Sequence, residues 1–579
     1  MTTRLLLSLA AVAVGFAAAD TYVVVLALPD MMAGVGLAVD QLQRAAPIVS
    51  GFLLGYVAVL PLIGRIADLR GRVPVLVGSL LVFALGSLVT AAAYDLPSMV
   101  TGRFLQGVGG GGLVPATLAL VADLYPADRR GVPLGVVGAV QELGSVLGPL
   151  YGALVLAVAP WQAIFALNLA AALVLAATLR LLAEGSLRHA NGRRVDASVT
   201  PRRDWLGAGL LVTTLVALVL TMMPPAVLTS DVTLGLGFVP LVGGARLLAP
   251  VGLAAIVLAL ALLARCLTAR RPLVDLRGWV AVVREADLVG AVLLALTLAG
   301  VILAFATADP QVAVFSPAGP WLLAGSAVFV MLLVLHLRRA EEPLLPRGAF
   351  AAVPAWGALA VSFFVGAALI AALVDIPIFA RVTVYPSSQL DAALVLVRLL
   401  VALPVGALAG GFLIRRLPVG AVTGAGMVLA AAGFVWMSTW GLTSLSSPLA
   451  TVPLVGTGLG FGLALAPVSA ALLASTADAV HGVSSAMLVV ARMVGMLVGI
   501  SALTTIGLRR YYAVQVDLPA PGDVCSSGTQ CAAYTRLLKE AGLAQLQTVF
   551  VGAACCAVVA AVLAVVLFRS LRESGTLRP

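Results

Sequence analysis

Charged residues are scarce in this chain. Only 10% of its 579 residues are Asp, Glu, Lys or Arg, whereas 61% are hydrophobic and the mean hydropathy is +1.12. Soluble globular chains are about a quarter charged, so a chain of this composition could not cover its apolar surface in water. The scarcity excludes an ordinary soluble domain and predicts a membrane protein with many spans.

Lysine and histidine are rarer still. Lys539 is the only lysine, and the three histidines have no metal-binding spacing, so we expect no metal site and no cofactor. The net charge of +10 comes from arginines in short loops between apolar runs, which argues against nucleic acid as a partner. Because the chain lacks a nucleotide-binding glycine loop and any pattern for covalent catalysis, we expect neither an ATP-driven pump nor an enzyme.

Apolar runs of about 20 residues, the length that crosses a bilayer, predict an all-α polytopic protein. We count sixteen such spans, or fourteen if one inserted hairpin does not cross the membrane. Most of the 35 Lys and Arg residues fall in alternate loops. The positive-inside rule then places both termini in the cytoplasm, and the protein is expected in the plasma membrane.

The first span contains an acid. Residues 16–29 read "FAAADTYVVVLALP", and the alanines before Asp20 resemble a signal-peptidase site. Cleavage there would leave an odd number of spans with the N-terminus outside, and the apolar run continues to Pro29. We therefore interpret this stretch as a retained first helix that keeps a carboxylate inside the membrane.

Weak internal repeats divide the chain into two halves with an insert. The fifth span and the second-last span both carry glycines four residues apart, and the insert itself contains two similar helical hairpins. This pattern predicts an N-terminal six-helix half at 1–184, inserted hairpins at 205–265 and 287–337 within 185–350, and a C-terminal six-helix half at 351–579.

The long segment 509–545 lies between the last two spans and is expected outside. Its sequences "LRRYYAVQVDLP" and "AAYTRLLKEAGLAQLQ" could extend those spans beyond the bilayer and offer a dock for a carrier, or form an ordinary loop. Cys525 and Cys531, in "CSSGTQC", are a candidate disulfide because an outside loop lets such a bridge persist.

Two motifs lie between the second and fourth spans of the predicted N-terminal half. "GRIADLRGR", residues 64–72, joins the second and third spans. There Gly64 permits a tight turn, Asp68 can accept hydrogen bonds from helix N-termini or arginines, and Arg72 holds the inside face. "RFLQGVGGGG" begins at Arg103 inside the fourth span.

A further motif, "GSVLGPLYG", occupies the fifth span. Gly144, Gly148 and Gly152 would let neighbouring helices approach closely, and Pro149 would bend the span. Together with "DTYVVVLALP" in the first span, these motifs resemble the signatures of the major facilitator superfamily, and in particular its fourteen-helix drug:proton antiporters. "DTYVVV", "LVDIPIF" and "VVARMVGMLVG" resemble the branch of mycobacterial triacylglyceride exporters that work with a periplasmic lipoprotein.

The resemblance implies the superfamily's fold and its mode of action. Two six-helix halves would rock against each other, with a proton gradient as the energy source. The substrate would be a lipid or another lipophilic small molecule, the partner a periplasmic lipoprotein, and the protein a monomer. We therefore consider a proton-coupled lipid exporter first, a proton-coupled multidrug exporter second, and a non-transporting scaffold for a lipoprotein third.

Charges inside the spans are candidate functional groups because each costs at least about 2.5–3.5 kcal/mol to insert. Asp20 and Arg103 lie at similar depths, so they could form a static salt bridge or a pair that opens on protonation. Glu142 lies near the midplane, and Arg492 falls one position from it when the glycine pairs are aligned. We predict Asp20 and Glu142 as proton-coupling groups, Glu142 being the one that titrates, with the two arginines as counter-charges.

Two further intramembrane charges have no assigned role at this stage. Arg398 lies in the outer third of its span and could face either the interface or a cavity, and Asp375 lies near an outer helix end.

Overall fold

A computed structural model gives the fold of the chain. It describes residues 2–37, 42–190, 204–231, 233–241, 246–270, 272–306, 316–341, 343–385, 388–520, 524–525 and 531–570, without some side chains inside helices. Every regular element in these ranges is helical. Sixteen of the described helices are long and apolar enough to cross a membrane, so both inserted hairpins qualify as spans and the predicted all-α polytopic class is confirmed.

Six long helices form the N-terminal half. The first is continuous through the alanines and Asp20, as expected for a retained span. The six are α1 (Thr2–Gly34), α2 (Leu42–Arg70), α3 (Arg72–Ala91), α4 (Leu96–Leu124), α5 (Gly131–Val158) and α6 (Gln162–Ala190).

The insert and the C-terminal half supply ten more long helices and the short α9. The insert has α7 (Trp205–Met222), α8 (Pro250–Thr268), the short α9 (Leu276–Glu285), α10 (Leu288–Ala306) and α11 (Gly319–Arg339). The C-terminal half has α12 (Val353–Thr383), α13 (Gln389–Leu413), α14 (Val419–Met437), α15 (Thr451–Ala474), α16 (His481–Val516) and α17 (Ala532–Leu567).

The two halves repeat the same helix packing. In the first, α1 packs on α5, α2 on α4, and α3 on α4 and α6; in the second, α12 packs on α16, α13 on α15, and α14 on α15 and α17. Gly144 and Gly148 lie against the backbone of Gly15 and Ala19, and Gly495 lies against Phe363 in the equivalent position. A Cβ at these glycines would collide with the backbone of the facing helix, which explains the paired glycines of the sequence.

The halves meet along two seams, α2 with α16 and α5 with α13. Close contacts lie at the end of the bundle that carries residues 64–72, which we call the 64–72 end. There a Cβ on Gly64 would come within 2.6 Å of the Gly482 carbonyl oxygen, and one on Gly131 within 2.6 Å of the Gly411 carbonyl oxygen. The two halves are therefore closed against each other at this end.

The tight turn expected at Gly64 lies elsewhere. Helix α2 continues through Gly64 to Arg70, and the chain reverses at Gly71, whose φ of 94° only glycine adopts without strain. Gly64 instead permits the close approach of α16. The glycine of the motif is thus a packing residue rather than a turn residue.

The two inserted hairpins differ in how they attach. In the second, α10 packs on both α2 and α16 and so lies over a seam between the halves, whereas in the first α7 and α8 pack mainly on each other. The short α9 joins the hairpins at the 64–72 end. It was not predicted from the sequence.

The last two spans are longer than their apolar runs. α16 continues to Val516 and α17 begins at Ala532, so helix occupies much of the segment 509–545. Within that segment, residues 521–523 and 526–530 lie outside the described part of the chain. Cys525, in the segment after α16, forms a disulfide with Cys531, which directly precedes α17, with 5.7 Å between their Cα atoms.

Candidate functional site

The first buried charge pair joins α1 and α4 inside the N-terminal half. Arg103 Nη1 lies 2.8 Å from Asp20 Oδ2, and each residue is only 1% exposed. Asn168 of α6 donates a hydrogen bond to Asp20 Oδ1, and Gln106 Nε2 lies 3.5 Å from the same oxygen. Both carboxylate oxygens therefore have partners, and three helices are tied together at Asp20.

A second layer holds this pair in place. Gln106 Oε1 accepts a hydrogen bond of 2.8 Å from Arg103, and Gln106 Nε2 donates one of 2.9 Å to Ser87. The Arg103 guanidinium lies 4.5 Å above the ring of Phe52. A buried network with this many bonds fixes geometry strongly, because losing any member strands the others without water.

The second pair, Glu142 and Arg492, bridges the two halves. Glu142 Oε1 on α5 lies 4.0 Å from Arg492 Nη1 on α16, too far for a hydrogen bond. Among the described residues, no hydrogen bond reaches the Glu142 carboxylate. The structure thus brings together the acid and base that were paired by aligning the glycines, in a loose contact between the two halves.

This pair borders the hollow interior between the halves. Two adjoining cavities are lined mostly by aliphatic side chains from both halves. Gln141, Glu142 and Arg492 line both of them, and Tyr56 lines the second. A ligand in this space would contact apolar walls and a few polar groups close to the Glu142–Arg492 pair.

The 64–72 segment closes one end of this space. Asp68 accepts hydrogen bonds from the backbone N–H groups of Gly482, at 2.8 Å, and Val483, at 3.0 Å, at the N-terminus of α16. Arg72 pairs with Asp68 and, at 3.1 Å, with Asp123. A carboxylate at a helix N-terminus satisfies free N–H groups and the helix dipole, so Asp68 ties the two halves together.

The remaining predicted residues occupy other places. Gly152 lies against Val23 of α1 and extends the close packing of Gly144 and Gly148, while the side chain of Pro149 lies outside the described part of the structure. Arg398 lies outside both cavities and donates a hydrogen bond of 3.1 Å to Thr451. Asp375 is 4% exposed and has no hydrogen-bond or ion-pair partner among the described residues.

Three features of the site were missed in the sequence. Tyr56 gave no signal in the sequence, since one tyrosine in an apolar span is unremarkable, whereas Gln141 could have been found as the neighbour of Glu142. The contact of α9 with the 64–72 segment was also missed. Arg70 Nη2 lies 3.2 Å from Asp275 Oδ2, and its guanidinium lies 4.7 Å from the ring of Trp279.

Comparison with known proteins identifies the family to which this architecture belongs. The model of the Major Facilitator Superfamily matches residues 10–342. The chain belongs to the Major Facilitator Superfamily. The match covers the motifs at 64–72, 103–112 and 144–152. The protein is a multi-pass membrane transporter.

Three mycobacterial relatives are similar over nearly the whole chain, each named as a triacylglyceride transporter. The protein from Mycolicibacterium hassiacum is 34% identical, covering 92% of this chain and 85% of its own. That from Mycolicibacterium smegmatis is 33% identical, covering 97% and 87%. That from Mycobacterium tuberculosis is 33% identical, covering 89% and 85%. The resemblance to this branch is confirmed.

Solved structures agree on the fold. The proton:xylose symporter XylE has a TM-score of 0.50 at 13% identity, with coverage of 97% of this chain and 94% of its own. The human organic anion transporter MFSD10 has a TM-score of 0.51 at 16% identity, with coverage of 97% and 99%. At these identities the likeness supports the major facilitator fold and says nothing about substrate.

Proposed function

We propose that this transporter exports triacylglyceride-like lipids across the plasma membrane by proton-coupled alternating access, with both termini in the cytoplasm. The names of the mycobacterial relatives support a lipid substrate. The aliphatic walls of the two cavities also support one, because sugars or phosphorylated molecules would need many more polar contacts.

The Glu142–Arg492 pair carries the proposal of proton coupling. It joins the two halves at the cavity, and its contact of 4.0 Å depends on charge rather than on a hydrogen bond. Protonation of Glu142 would remove that attraction and let the halves separate there. Asp20, with its hydrogen-bonded partners, would hold the N-terminal half rigid while this occurs.

Proton entry supplies enough free energy for such a cycle. One proton moving inward releases about 1.4 kcal/mol per pH unit and about 2.3 kcal/mol per 100 mV. In the described conformation the halves are tied at the 64–72 end by Asp68 and α16. The conformation that opens at the 64–72 end must break this contact. The proton gradient would therefore act by shifting the equilibrium between the conformation closed at this end and the one closed at the opposite end.

The test is transport by the purified protein in vesicles with an imposed pH gradient. Labelled triacylglyceride should move against its concentration gradient when protons flow the opposite way, and collapsing the gradient with a protonophore should stop it. Lipid movement that is indifferent to the gradient would contradict proton coupling, and no lipid movement would contradict the lipid substrate.

A multidrug exporter is the second candidate. The same aliphatic cavities would accept lipophilic drugs, and the same pair would couple them to protons. Drug movement without triacylglyceride movement in these vesicles would favour this function.

A carrier lipoprotein is proposed as partner, on the evidence of the helical extensions beyond the apolar runs of α16 and α17. The Cys525–Cys531 disulfide closes a short loop in the segment that connects these extensions, and together they would present a surface outside the membrane. If the protein were only a scaffold, Glu142→Gln would leave both lipoprotein binding and the lipid phenotype of cells intact. A monomeric exporter would keep the binding and lose lipid movement.

A further inference from the structure

Most hydroxyl groups that line the two cavities already donate their hydrogen bonds. Thr21 Oγ1 donates to the Ala17 carbonyl at 3.2 Å, and Ser145 Oγ donates to the Gln141 carbonyl at 3.3 Å. Two further serines do the same: Ser362 donates to the Leu488 carbonyl of a neighbouring helix and Ser469 to the Leu465 carbonyl of its own helix, each at 3.1 Å. These groups can accept from a ligand but have no proton to offer it.

Two neutral donors at the cavity remain uncommitted. Among the described residues, neither the Tyr56 hydroxyl nor the Gln141 side-chain amide has a hydrogen-bond partner. Both line the second cavity, and Gln141 lines the first as well. Any ligand here therefore meets two N–H or O–H groups that gain a bond only when it is bound.

Tyr56 is held firmly in position. Its ring lies 5.9 Å from that of Phe52, and its backbone packs so tightly on Gly107 and Gly111 of α4 that neither glycine could carry a Cβ. Only 7% of Tyr56 is exposed. The hydroxyl therefore has a fixed position at the cavity wall, and a fixed donor costs little entropy when it binds a ligand.

Donors without partners select a ligand that is rich in acceptors. A neutral acylglycerol offers ester carbonyl oxygens and long apolar chains, and it has no charge to disturb the Glu142–Arg492 pair. We propose that Tyr56 and Gln141 donate hydrogen bonds to ester carbonyl oxygens of a neutral glyceride, so that they determine specificity for esters. This assignment rests on the proposed lipid-export function and adds to it the residues that recognise the substrate.

An ester–ether comparison tests the assignment in vesicles. Wild-type protein should move a triacylglyceride faster than the trialkyl-glycerol ether of equal chain length, which lacks the carbonyl acceptors. Tyr56→Phe should reduce this ester-to-ether ratio by roughly fivefold, the effect expected for one lost hydrogen bond. Gln141→Leu should reduce it in the same direction, and ether movement should change little in either variant.

Tyr151→Phe is the matched control. Its hydroxyl donates to the Ile164 carbonyl at 3.2 Å, away from both cavities, so its removal should leave the ratio unchanged. Equal losses of ester and ether movement in Tyr56→Phe and Gln141→Leu would overturn the proposal, since a packing defect slows both lipids alike. Equal movement of the two lipids by wild type would also overturn it. If wild type moves neither lipid, the proposed lipid function fails and this assignment fails with it.

Discussion

The two buried charge pairs have the same chemistry and opposite surroundings. Asp20 and Arg103 lie 2.8 Å apart within one half, and further side chains bind both partners. Glu142 and Arg492 lie 4.0 Å apart on different halves, border the cavities and have no hydrogen bond between them. A salt bridge inside a rigid unit can only hold it together, whereas one between units changes whenever they move.

Under the proposed mechanism, this difference separates a pair that fixes the packing of one half from a pair that switches. Each charge inside the membrane costs free energy, and its position determines which role it can have. Asp20 holds α1, α4 and α6 in fixed packing through its bonds to Arg103 and Asn168. Glu142 instead lies at the seam between the halves, where the proposed mechanism uses its charge.

The largest expected effect comes from breaking the rigid pair. Asp20→Ala leaves the Arg103 guanidinium buried without its counter-charge, and losing one partner of a buried pair costs about 3–5 kcal/mol. The thermal unfolding midpoint of the purified protein should fall by several degrees. Fluorescence-detected unfolding in detergent measures it.

The Asp20→Ala, Arg103→Leu double variant is the control. It removes both charges, so it should recover part of the stability lost in the single variant. A single variant as stable as wild type would contradict the structural role of the pair.

The second prediction concerns the seam pair. Glu142→Gln removes the titrating group without changing its shape, so gradient-driven lipid accumulation across one pH unit should fall by about tenfold per coupled proton. Downhill lipid movement should survive. Vesicle transport with and without a pH gradient measures both.

The two charge pairs should also differ in how much they contribute to the stability of the protein. Because the Glu142–Arg492 contact has no hydrogen bond, Glu142→Gln should shift the unfolding midpoint far less than Asp20→Ala. A large loss of stability in Glu142→Gln, with gradient dependence retained, would reverse the roles of the two pairs.

Much of the helical framework could be predicted from the sequence, because a span needs a long apolar run and the described part of the chain has sixteen of them. The helical segments that were missed do not have a long apolar run. Helix α9 has only ten residues, with an apolar and a polar face, so its average hydropathy is too low for a predicted span. The extensions of α16 and α17 are helical but polar. The predicted spans therefore end where the apolar runs end, before the helices themselves do.

The site was predictable where charge restricted the choices. Asp20 and Glu142 each need a counter-charge at the same depth, and few arginines meet that condition. Gln106 and Tyr56 were not assigned their contacts, because a neutral polar residue in a span gives no indication of its direction. The role of Gly64 was misjudged because a glycine permits both a turn and a close approach, and only the facing helix distinguishes them.

The third prediction concerns the contact between the halves at the 64–72 end. Asp68→Asn keeps the shape but loses the charge that binds the N-terminus of α16, which should weaken this end by about 1–2 kcal/mol. The population open at this end should rise. Distance distributions between spin labels on α2 and α16 measure it.

Asp123→Asn is the matched control for this end. Asp123 contacts Arg72 in the same cluster but stays within the N-terminal half, so its loss should leave the distances between α2 and α16 unchanged. Equal shifts in both variants would indicate that general charge loss, rather than the tie to α16, controls opening.

The smallest expected effect lies where α9 meets the same segment. The backbone N–H of Gly278 and the guanidinium of Arg70 hold the pKa of the Asp275 carboxyl below its usual range. The contact is therefore complete above the ordinary carboxyl pKa of about 3.9 and is lost only as pH falls through the lower folded value. Between about pH 5 and pH 8, α9 should stay attached irrespective of any titration at Glu142.

Amide hydrogen exchange distinguishes this contact from the pairs inside the membrane. Asp275→Asn should speed exchange in α9 slightly, because Asp275 is well exposed and an exposed ion pair contributes little. Trp279→Ala should have a larger effect, since the ring packs against Arg70 and beside Gly78. If neither variant changes exchange in α9, this helix is held by its neighbours α8 and α10 instead, and the 64–72 segment is free to move without it.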